Sequence, residues 1–154
     1  MRMNEDYVSH SLAVALKAAG FDWHCRAAWH YDGSEWNFIK DYASTFQRPK
    51  EIPDWNSATW NTPYIVSAPT LAMAQKWLRV GARLHVGACP ALPTLKWQFY
   101  IDDLGQHVNP HDGELITRWT DEMLVNTCDL FFDSYEAALS AGIETALELI
   151  IPRQ

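Results

Sequence analysis

The densest group of potentially catalytic side chains lies in the stretch HVNPHD, residues 107 to 112. It contains His107, His111 and Asp112, and neutral imidazole and carboxylate groups are common zinc ligands. Two histidines four residues apart share one face only in a helix, and the Asn-Pro pair between them disfavours a helix. A small hydrolase or metal-dependent enzyme built on these three residues is therefore the alternative hypothesis. The interpretation we prefer is a solvated polar turn.

Three cysteines, Cys25, Cys89 and Cys128, provide no obvious nucleophile. A reactive cysteine needs a nearby base and an electropositive setting. His24 adjoins Cys25, but neighbouring residues of a strand point to opposite faces, and His85 lies four residues before Cys89. We therefore predict buried, structural cysteines. Their odd number and wide spacing disfavour a disulfide framework and favour a reducing cytoplasm.

Several function classes are disfavoured by composition and by missing motifs. The sequence has no G-x-G-x-x-G, no P-loop and no G-x-S-x-G motif, so we expect no cofactor and, from the histidine and cysteine spacing, no bound transition metal. The net charge of −7 disfavours nucleic acid, whose phosphates attract clustered Lys and Arg. No apolar run is long enough to span a membrane, and the opening MRMNEDYVSH does not resemble a secretory signal.

Tryptophan is the other unusual feature, with eight in 154 residues. Trp55 and Trp60 lie within residues 41 to 63, an aperiodic segment that contains three prolines. Such a long irregular loop is uncommon in a compact domain and is often functional, and tryptophan is enriched in binding hot spots. Trp55 and Trp60 are therefore our candidate binding residues. The alternative is that the loop folds back and buries both residues as a lid on the sheet.

Two segments in the first half of the chain have helical periodicity. The first, residues 5 to 19, has Asn4 as its predicted cap and ends at Gly20, where a Schellman motif would fold Phe21 back toward the helix. The second, residues 69 to 81, begins at Thr70 and ends at Gly81.

A third helix is predicted in the closing stretch DSYEAALSAGIETALELI. Asp133 and Glu136 have the spacing of a capping box. Gly142 lies on the apolar face, where glycine is unfavourable by about 1 kcal/mol relative to alanine. Its position there predicts close contact with another backbone.

Alternating apolar and polar residues predict strands between these helices. Residues 24 to 39 form a hairpin around a Tyr-Asp-Gly turn, with Cys25, Ala27 and Trp29 facing the core; YIVSA is one strand, and RLHVGACP and KWQFYID form a second hairpin. One more strand is expected in residues 113 to 131. This order predicts an α+β fold, with a mainly antiparallel sheet and about three packed helices, as a single domain over residues 1–154.

The helical blocks YVSHSLAVALKAAGFD, PTLAMAQKWLRV and YEAALSAGIETALELI resemble an uncharacterised family of small proteins common in Bacteroidetes genomes and their phages. These motifs are helix-packing patterns, and the resemblance implies neither an activity nor catalytic residues. The stretch RPKEIPDWNSATWNTP is longer than the linkers of that family, so a role of this loop would be specific to this chain. The residues that carry the resemblance are Pro69, Thr70, Trp77, Leu78 and Arg79 in the second block, and Ser134, Tyr135, Glu136, Ala138, Leu139, Gly142 and Ile143 in the third.

We therefore interpret the chain as a cytoplasmic protein- or ligand-binding module rather than an enzyme. Its partner would be another protein or a second copy of itself. A third hypothesis, an acidic phage protein that mimics the charge of DNA, has less support because the acidic residues are scattered along the sequence.

Overall fold

The computed structural model describes residues 6–45, 52–57, 60, 63–104, 106–108, 111–112, 115–117 and 130–150. All strand pairs among these residues are antiparallel, and the predicted α+β class with three helices is confirmed. The helices are α1 (His10–Ala18), α2 (Leu71–Trp77) and α3 (Tyr135–Ile150), with a 3-10 helix at Tyr42–Thr45 and a π-helical turn at Leu78–Ala82. The strands are β1 (Ala28–Tyr31), β2 (Trp36–Ile39), β3 (Ile65–Ser67), β4 (Leu84–Ala91), β5 (Lys96–Asp103), β6 (Gln106–Val108) and β7 (Leu115–Thr117).

Contacts divide the chain into two compact units, Met1–Ala74 and Gln75–Gln154. The first unit contains a three-stranded sheet in the order β2-β1-β3. The second contains two separate two-stranded sheets, β4-β5 and β6-β7. No helix in the described part of the chain combines the length and the apolar character that a membrane span needs.

Helix α1 ends as its sequence predicts and begins later. Gly20 has a φ of +94°, its N–H donates to Lys17 O (3.0 Å), and the Phe21 N–H donates to Leu16 O (2.9 Å), which is a Schellman motif. Asn4 lies outside the described residues, and the cap is Ser9, whose hydroxyl accepts the Leu12 N–H at 3.2 Å. The helix starts later because the residues before it pair with the start of α2. The Val8 N–H donates to Pro69 O, and Asp6 O accepts the Leu71 N–H.

Helix α2 begins at the predicted cap but does not end at the predicted glycine. The Thr70 hydroxyl accepts the Met73 N–H at 3.1 Å. The helix then widens into the π-helical turn, so the left-handed residue that ends it is Arg83 (φ 59°), not Gly81. The Arg83 carbonyl accepts the Leu104 N–H at 2.8 Å, which ties this end of the helix to the end of β5.

Helix α3 is capped by Ser134 rather than by the predicted Asp133. The Ser134 hydroxyl accepts the Ala137 N–H at 3.0 Å. Asp133 instead forms an ion pair with Lys96 at the start of β5, and the hydrogen bond from Lys96 holds the pKa of this carboxyl below its ordinary value. The predicted capping box was therefore wrong by one residue.

The predicted close contact at Gly142 is present, although it is made with side chains of the sheet rather than with a backbone. Helix α3 packs on β4 and β5. A β-carbon at position 142 would lie 2.7 Å from Val86 Cγ1 and 2.9 Å from Phe99 Cβ. Glycine is therefore needed here for the helix to approach the sheet so closely.

One buried cluster of the first unit lies against one face of its sheet. Ala28 of β1 and Ile65 of β3 face this core, while Trp29 points to the opposite face. On that face Trp29 is partly buried beside Val66, its partner on β3, and its indole N–H donates to Val8 O at 3.2 Å. The buried core cluster consists of Cys25, Ala28, Tyr42, Ala43, Trp55 and Ile65, with Ile39, Trp60 and Met73 packed against it.

Replacement of Gly142 by leucine is expected to destabilise the protein by about 1–3 kcal/mol, because the added side chain overpacks the contact between α3 and the sheet. Gly81 is the matched control, since no atom lies within 4 Å of the position where its β-carbon would be. Urea unfolding followed by circular dichroism should show a lower midpoint for Gly142→Leu and little change for Gly81→Ala. Equal midpoints for both variants and the wild type would contradict the packing.

Candidate functional site

Trp55, the first candidate binding residue, is buried in the core of the first unit. Its side chain is 0% exposed, and its indole N–H donates to Cys25 O at 2.8 Å. The ring also contacts Tyr42 and Trp60, with centroids 4.8 and 5.2 Å away. The structure thus corrects the placement of Trp55 on an exposed surface and agrees with the alternative, in which the loop folds back. Trp60 is partly buried, and its role in binding stays a prediction.

The described residues of the 41–63 segment are held by the chain that precedes β1. Cys25 N–H donates to Pro53 O at 3.2 Å. The Asn56 side chain donates to Phe21 O at 3.1 Å and accepts the Ser67 N–H at 3.1 Å. Because each of these bonds joins parts of the chain distant in sequence, this part of the loop is a structural element of the core.

The histidine and aspartate candidates lie around β6 and the turn after it. His107 belongs to β6, and its side chain is outside the described residues. His111 and Asp112 are exposed in the turn between β6 and β7. Among the described residues, no group of three or more His, Cys, Asp and Glu side chains has an arrangement that could hold a metal ion. An activity of His107, His111 and Asp112 stays a prediction.

Two of the three cysteines are described, and both are free thiols. Cys25 is buried, and burial raises the pKa of its thiol to about 11, which suppresses the reactive thiolate. Cys89 is exposed on β4. His85 is four residues away on the same strand, a separation of about 13 Å along an extended chain, so it is too far away to act as its base. Cys128 lies outside the described residues.

A continuous line of aromatic rings lies on the face of the three-stranded sheet opposite the Trp55 core. Seven side chains form it, and each ring contacts the next. We call this set the aromatic row. Its members are, in spatial order, Tyr64, Tyr31, Trp36, His10, Trp29, Phe38 and Tyr7.

Four of the rings come from β1 and β2 through the register of the hairpin. Trp29 is paired with Phe38, and Tyr31 with Trp36, so all four point to the same face. The ring centroids of each pair are 5.5 Å apart. Tyr64 extends the row beside Tyr31, since the Tyr31 N–H donates to Tyr64 O at 2.8 Å and the two ring centroids lie 6.1 Å apart.

The other two rings, Tyr7 and His10, come from the segment before and at the start of α1. Tyr7 lies 5.0 Å from Phe38 between centroids. His10 stacks on Trp36 at 4.3 Å and approaches Trp29 edge-on at 5.7 Å. The Trp29 indole N–H donates to Val8 O at 3.2 Å, which holds this segment against the sheet.

The aromatic row is partly open to solvent although it is well ordered by contacts. Tyr64 is 53% exposed and Phe38 is 37% exposed, and the other five rings are partly buried. Helix α1 packs against β3, which is an edge strand of the sheet. Four of the seven rings come from the other two strands, β1 and β2. Buried aromatic rings stabilise a core, but seven neighbouring rings that keep part of their surface in water form an aromatic patch suited to binding.

Two carboxylates lie in the hairpin turn, and that of Asp32 accepts the side-chain N–H of Asn37, a residue on the face opposite the row. Asp32 follows Tyr31 and Glu35 precedes Trp36, and both are exposed. The backbone N–H groups of Glu35 and Ser34 donate to the Asp32 carboxylate at 3.0 and 2.8 Å, and these bonds hold its pKa well below the ordinary value. Asp32 therefore keeps its negative charge throughout the physiological pH range.

His10 has a polar atom that the fold leaves unsatisfied. Its Nε2 is buried and has no hydrogen-bond partner among the described residues. Buried polar nitrogen atoms are normally paired. The His10 ring itself contacts Trp36 and Trp29, with centroids 4.3 and 5.7 Å away.

The aromatic row was not predicted from the sequence, although part of the signal was present. The hairpin was predicted, and pairing across it places Trp29 and Tyr31 opposite Phe38 and Trp36 once the register is known. The contributions of Tyr7 and His10 have no local signal, because they depend on how α1 packs. The contacts that the rings of the row can offer a ligand are stacking, cation–π and apolar contacts.

Comparison with known proteins finds no matching family model, no similar curated protein and no similar solved structure. The resemblance to small proteins of Bacteroidetes and their phages therefore stays a prediction, and the function has to be argued from the geometry.

Replacement of Trp55 by alanine is expected to cost about 3–5 kcal/mol of stability, because it leaves a large cavity in the core. The matched control is Tyr64→Ala, an exposed ring in the same unit, where a change within about 0.5 kcal/mol is expected. Urea unfolding should be followed by circular dichroism, since the substitution removes a fluorophore. A Trp55→Ala midpoint equal to that of Tyr64→Ala would contradict the buried position.

Thiol labelling should distinguish the two described cysteines. In a Cys128→Ser background at pH 8, Cys89 should react rapidly with Ellman's reagent, and Cys25 only after denaturation. At this pH only about one Cys25 thiol in a thousand is ionised if the pKa is near 11, and burial blocks the reagent as well. Rapid labelling of two thiols in the folded protein would contradict this. When Cys89→Ser is added to the Cys128→Ser background, the fast reaction should disappear.

Proposed function

We propose that the protein is a cytoplasmic, non-enzymatic binding module that holds a protein partner on the aromatic row. The observation that carries this proposal is the row itself, in which six ring-to-ring contacts join seven rings from Tyr64 to Tyr7. Tyrosine and tryptophan are the residues most enriched in binding hot spots, because they offer large contact areas at a small entropic cost.

The position of the row supports binding rather than core packing. The opposite face of the same sheet already contains the buried cluster around Trp55. Phe38 and Tyr64 are exposed on the row, and water contact with large rings is unfavourable unless a partner covers them. Rings on paired strands are also held in place before binding, so little freedom is lost on association.

A different protein is favoured over a second copy of this chain. Each copy of the chain carries a net charge of −7, so two copies repel each other as they approach. Like charges across an interface are unfavourable. We therefore expect a monomer in solution when the partner is absent.

The cytoplasmic location is supported by the free thiols of Cys25 and Cys89, which are typical of a reducing compartment. The metal-dependent alternative built on His107, His111 and Asp112 stays a prediction, and the aromatic row is the observation that favours binding.

The proposal is tested by selecting random peptides displayed on phage against the purified protein. Each selected peptide is then titrated against the wild type and against the double variant Phe38→Thr, Tyr64→Thr. Because hot-spot aromatic residues contribute much of the binding energy, the double variant should bind at least about tenfold more weakly. Its melting temperature should remain close to that of the wild type, since both side chains are exposed.

The matched control is Leu92→Ser, Leu95→Ser, which removes two exposed apolar side chains between β4 and β5. Binding by this control should equal that of the wild type. Peptides that bind the aromatic double variant as tightly as the wild type would overturn the proposal, and so would a selection that yields no binding peptide.

A further inference from the structure

We propose that the partner protein binds as an extended segment that adds a fourth strand to the sheet of the first unit, along the outer edge of β2. This inference rests on the proposed function, because it specifies the conformation in which the partner is held. It follows from the strand order, from the direction of the backbone groups of β2 and from the rings that this strand contributes to the aromatic row.

Strand β2 lies at an edge of the sheet, and the two edges differ. The strand order is β2-β1-β3, and β2 pairs only with β1 among the described residues. On the other edge strand, β3, the Ser67 N–H donates to the Asn56 side chain at 3.1 Å. The returning loop therefore occupies part of the β3 edge.

The hydrogen bonds of β1 determine the direction of the backbone groups of its neighbours. Successive residues of an antiparallel strand direct their N–H and C=O groups to opposite sides. Tyr31 bonds toward β3, since its N–H donates to Tyr64 O at 2.8 Å. The next residue, Asp32, bonds toward the β2 side, since its N–H donates to Glu35 O at 3.1 Å. Residues of β1 thus bond alternately to β3 and to β2.

The outward-directed residues of β2 are Trp36 and Phe38. The register pairs Trp36 with Tyr31 and Phe38 with Trp29, and both of these β1 residues bond toward β3. The backbone N–H and C=O groups of Trp36 and Phe38 therefore point away from the sheet. Within the described part of the chain, no backbone or side-chain group bonds to them on that side.

Backbone groups with this arrangement are complementary to another extended chain. An antiparallel strand would exchange two hydrogen bonds with each of Trp36 and Phe38. Strand addition of this kind obtains its affinity from main-chain hydrogen bonds. A helix already uses its own N–H and C=O groups internally, so it cannot replace a strand at this edge.

The edge of β2 has none of the features that commonly block strand addition. Such features are proline, a β-bulge or an inward-pointing charge. The strand reads WNFI, which contains neither proline nor a charged residue. Its register with β1 is continuous over four residue pairs, without a bulge. The edge can therefore accept a short segment along its full length.

An added strand would also bring side chains to the aromatic row. Directly opposite residues of paired strands place their side chains on the same face, with β-carbons about 5 Å apart. The two partner residues opposite Trp36 and Phe38 would therefore lie beside these rings. Aromatic and β-branched side chains form favourable cross-strand pairs with aromatic rings. We expect such side chains at two partner positions that are two residues apart.

The test is amide hydrogen exchange, followed by NMR on the purified full chain. In the free protein the Trp36 and Phe38 amides should exchange rapidly. On saturation with the tightest peptide from the phage selection, their exchange should slow at least about tenfold, because both amides become bonded. Asn37 and Ile39 are the matched controls on the same strand, since their amides face β1 and should be protected with and without the peptide.

A second measurement uses versions of the same peptide, each with one backbone nitrogen methylated. In an added strand, alternate N–H groups face β2 and the others face solvent. Methylation at a position that faces β2 should weaken binding at least about tenfold, because a hydrogen bond is lost and its acceptor is left without a partner. Methylation at the positions between them should have little effect, which makes these peptides the matched controls.

The outcomes distinguish this inference from the proposed function. If binding is lost in the variant Phe38→Thr, Tyr64→Thr but the Trp36 and Phe38 amides gain no protection from the peptide, strand addition is wrong and the binding role of the row stands. An effect of methylation that does not alternate would also overturn strand addition. Protection in the free protein that rises with protein concentration would overturn it in favour of pairing between two copies. A selection that yields no binding peptide would overturn both proposals.

Discussion

Burial of the Trp55 indole is the interaction on which the first unit depends. The ring is buried in a cluster with Ala28 and Tyr42, and its N–H donates to the Cys25 carbonyl. An indole N–H in a core needs an acceptor, so this bond determines how residues 52–57 lie against the chain before β1. The same segment then satisfies backbone groups at Phe21 and Ser67 through Asn56.

The covered face of the sheet explains why the opposite face carries an aromatic surface. The loop that contains Trp55 covers one face of the sheet. On the other face α1 packs mainly against β3, which leaves the rings on β1 and β2 partly open to solvent. Tyr7 and His10 complete the row because residues 6–8 are held against the segment before α2. The surface is therefore built on paired backbone and not on a free loop, which keeps its rings in defined positions.

Local interactions were predictable from the sequence, and long-range ones were not. The Schellman ending at Gly20 and the Thr70 cap depend on residues within one helical turn, and both are present. The cap of α3 moved to Ser134 because Asp133 pairs with Lys96, which is distant in sequence. The aromatic row shows the same limit, since the hairpin signal indicates which strand residues pair but not that a separate segment brings His10 between two tryptophans.

The two faces of the sheet differ, since one has exposed rings and the other has a buried cluster, and this difference has a consequence for evolution. Most substitutions that change a working surface also cost stability, which restricts the paths open to selection. Here Phe38 and Tyr64 are exposed on one face, while the cluster around Trp55 is buried on the other. Under the proposed binding role, substitutions at these two exposed rings would change the partner that is bound while the buried cluster stays the same.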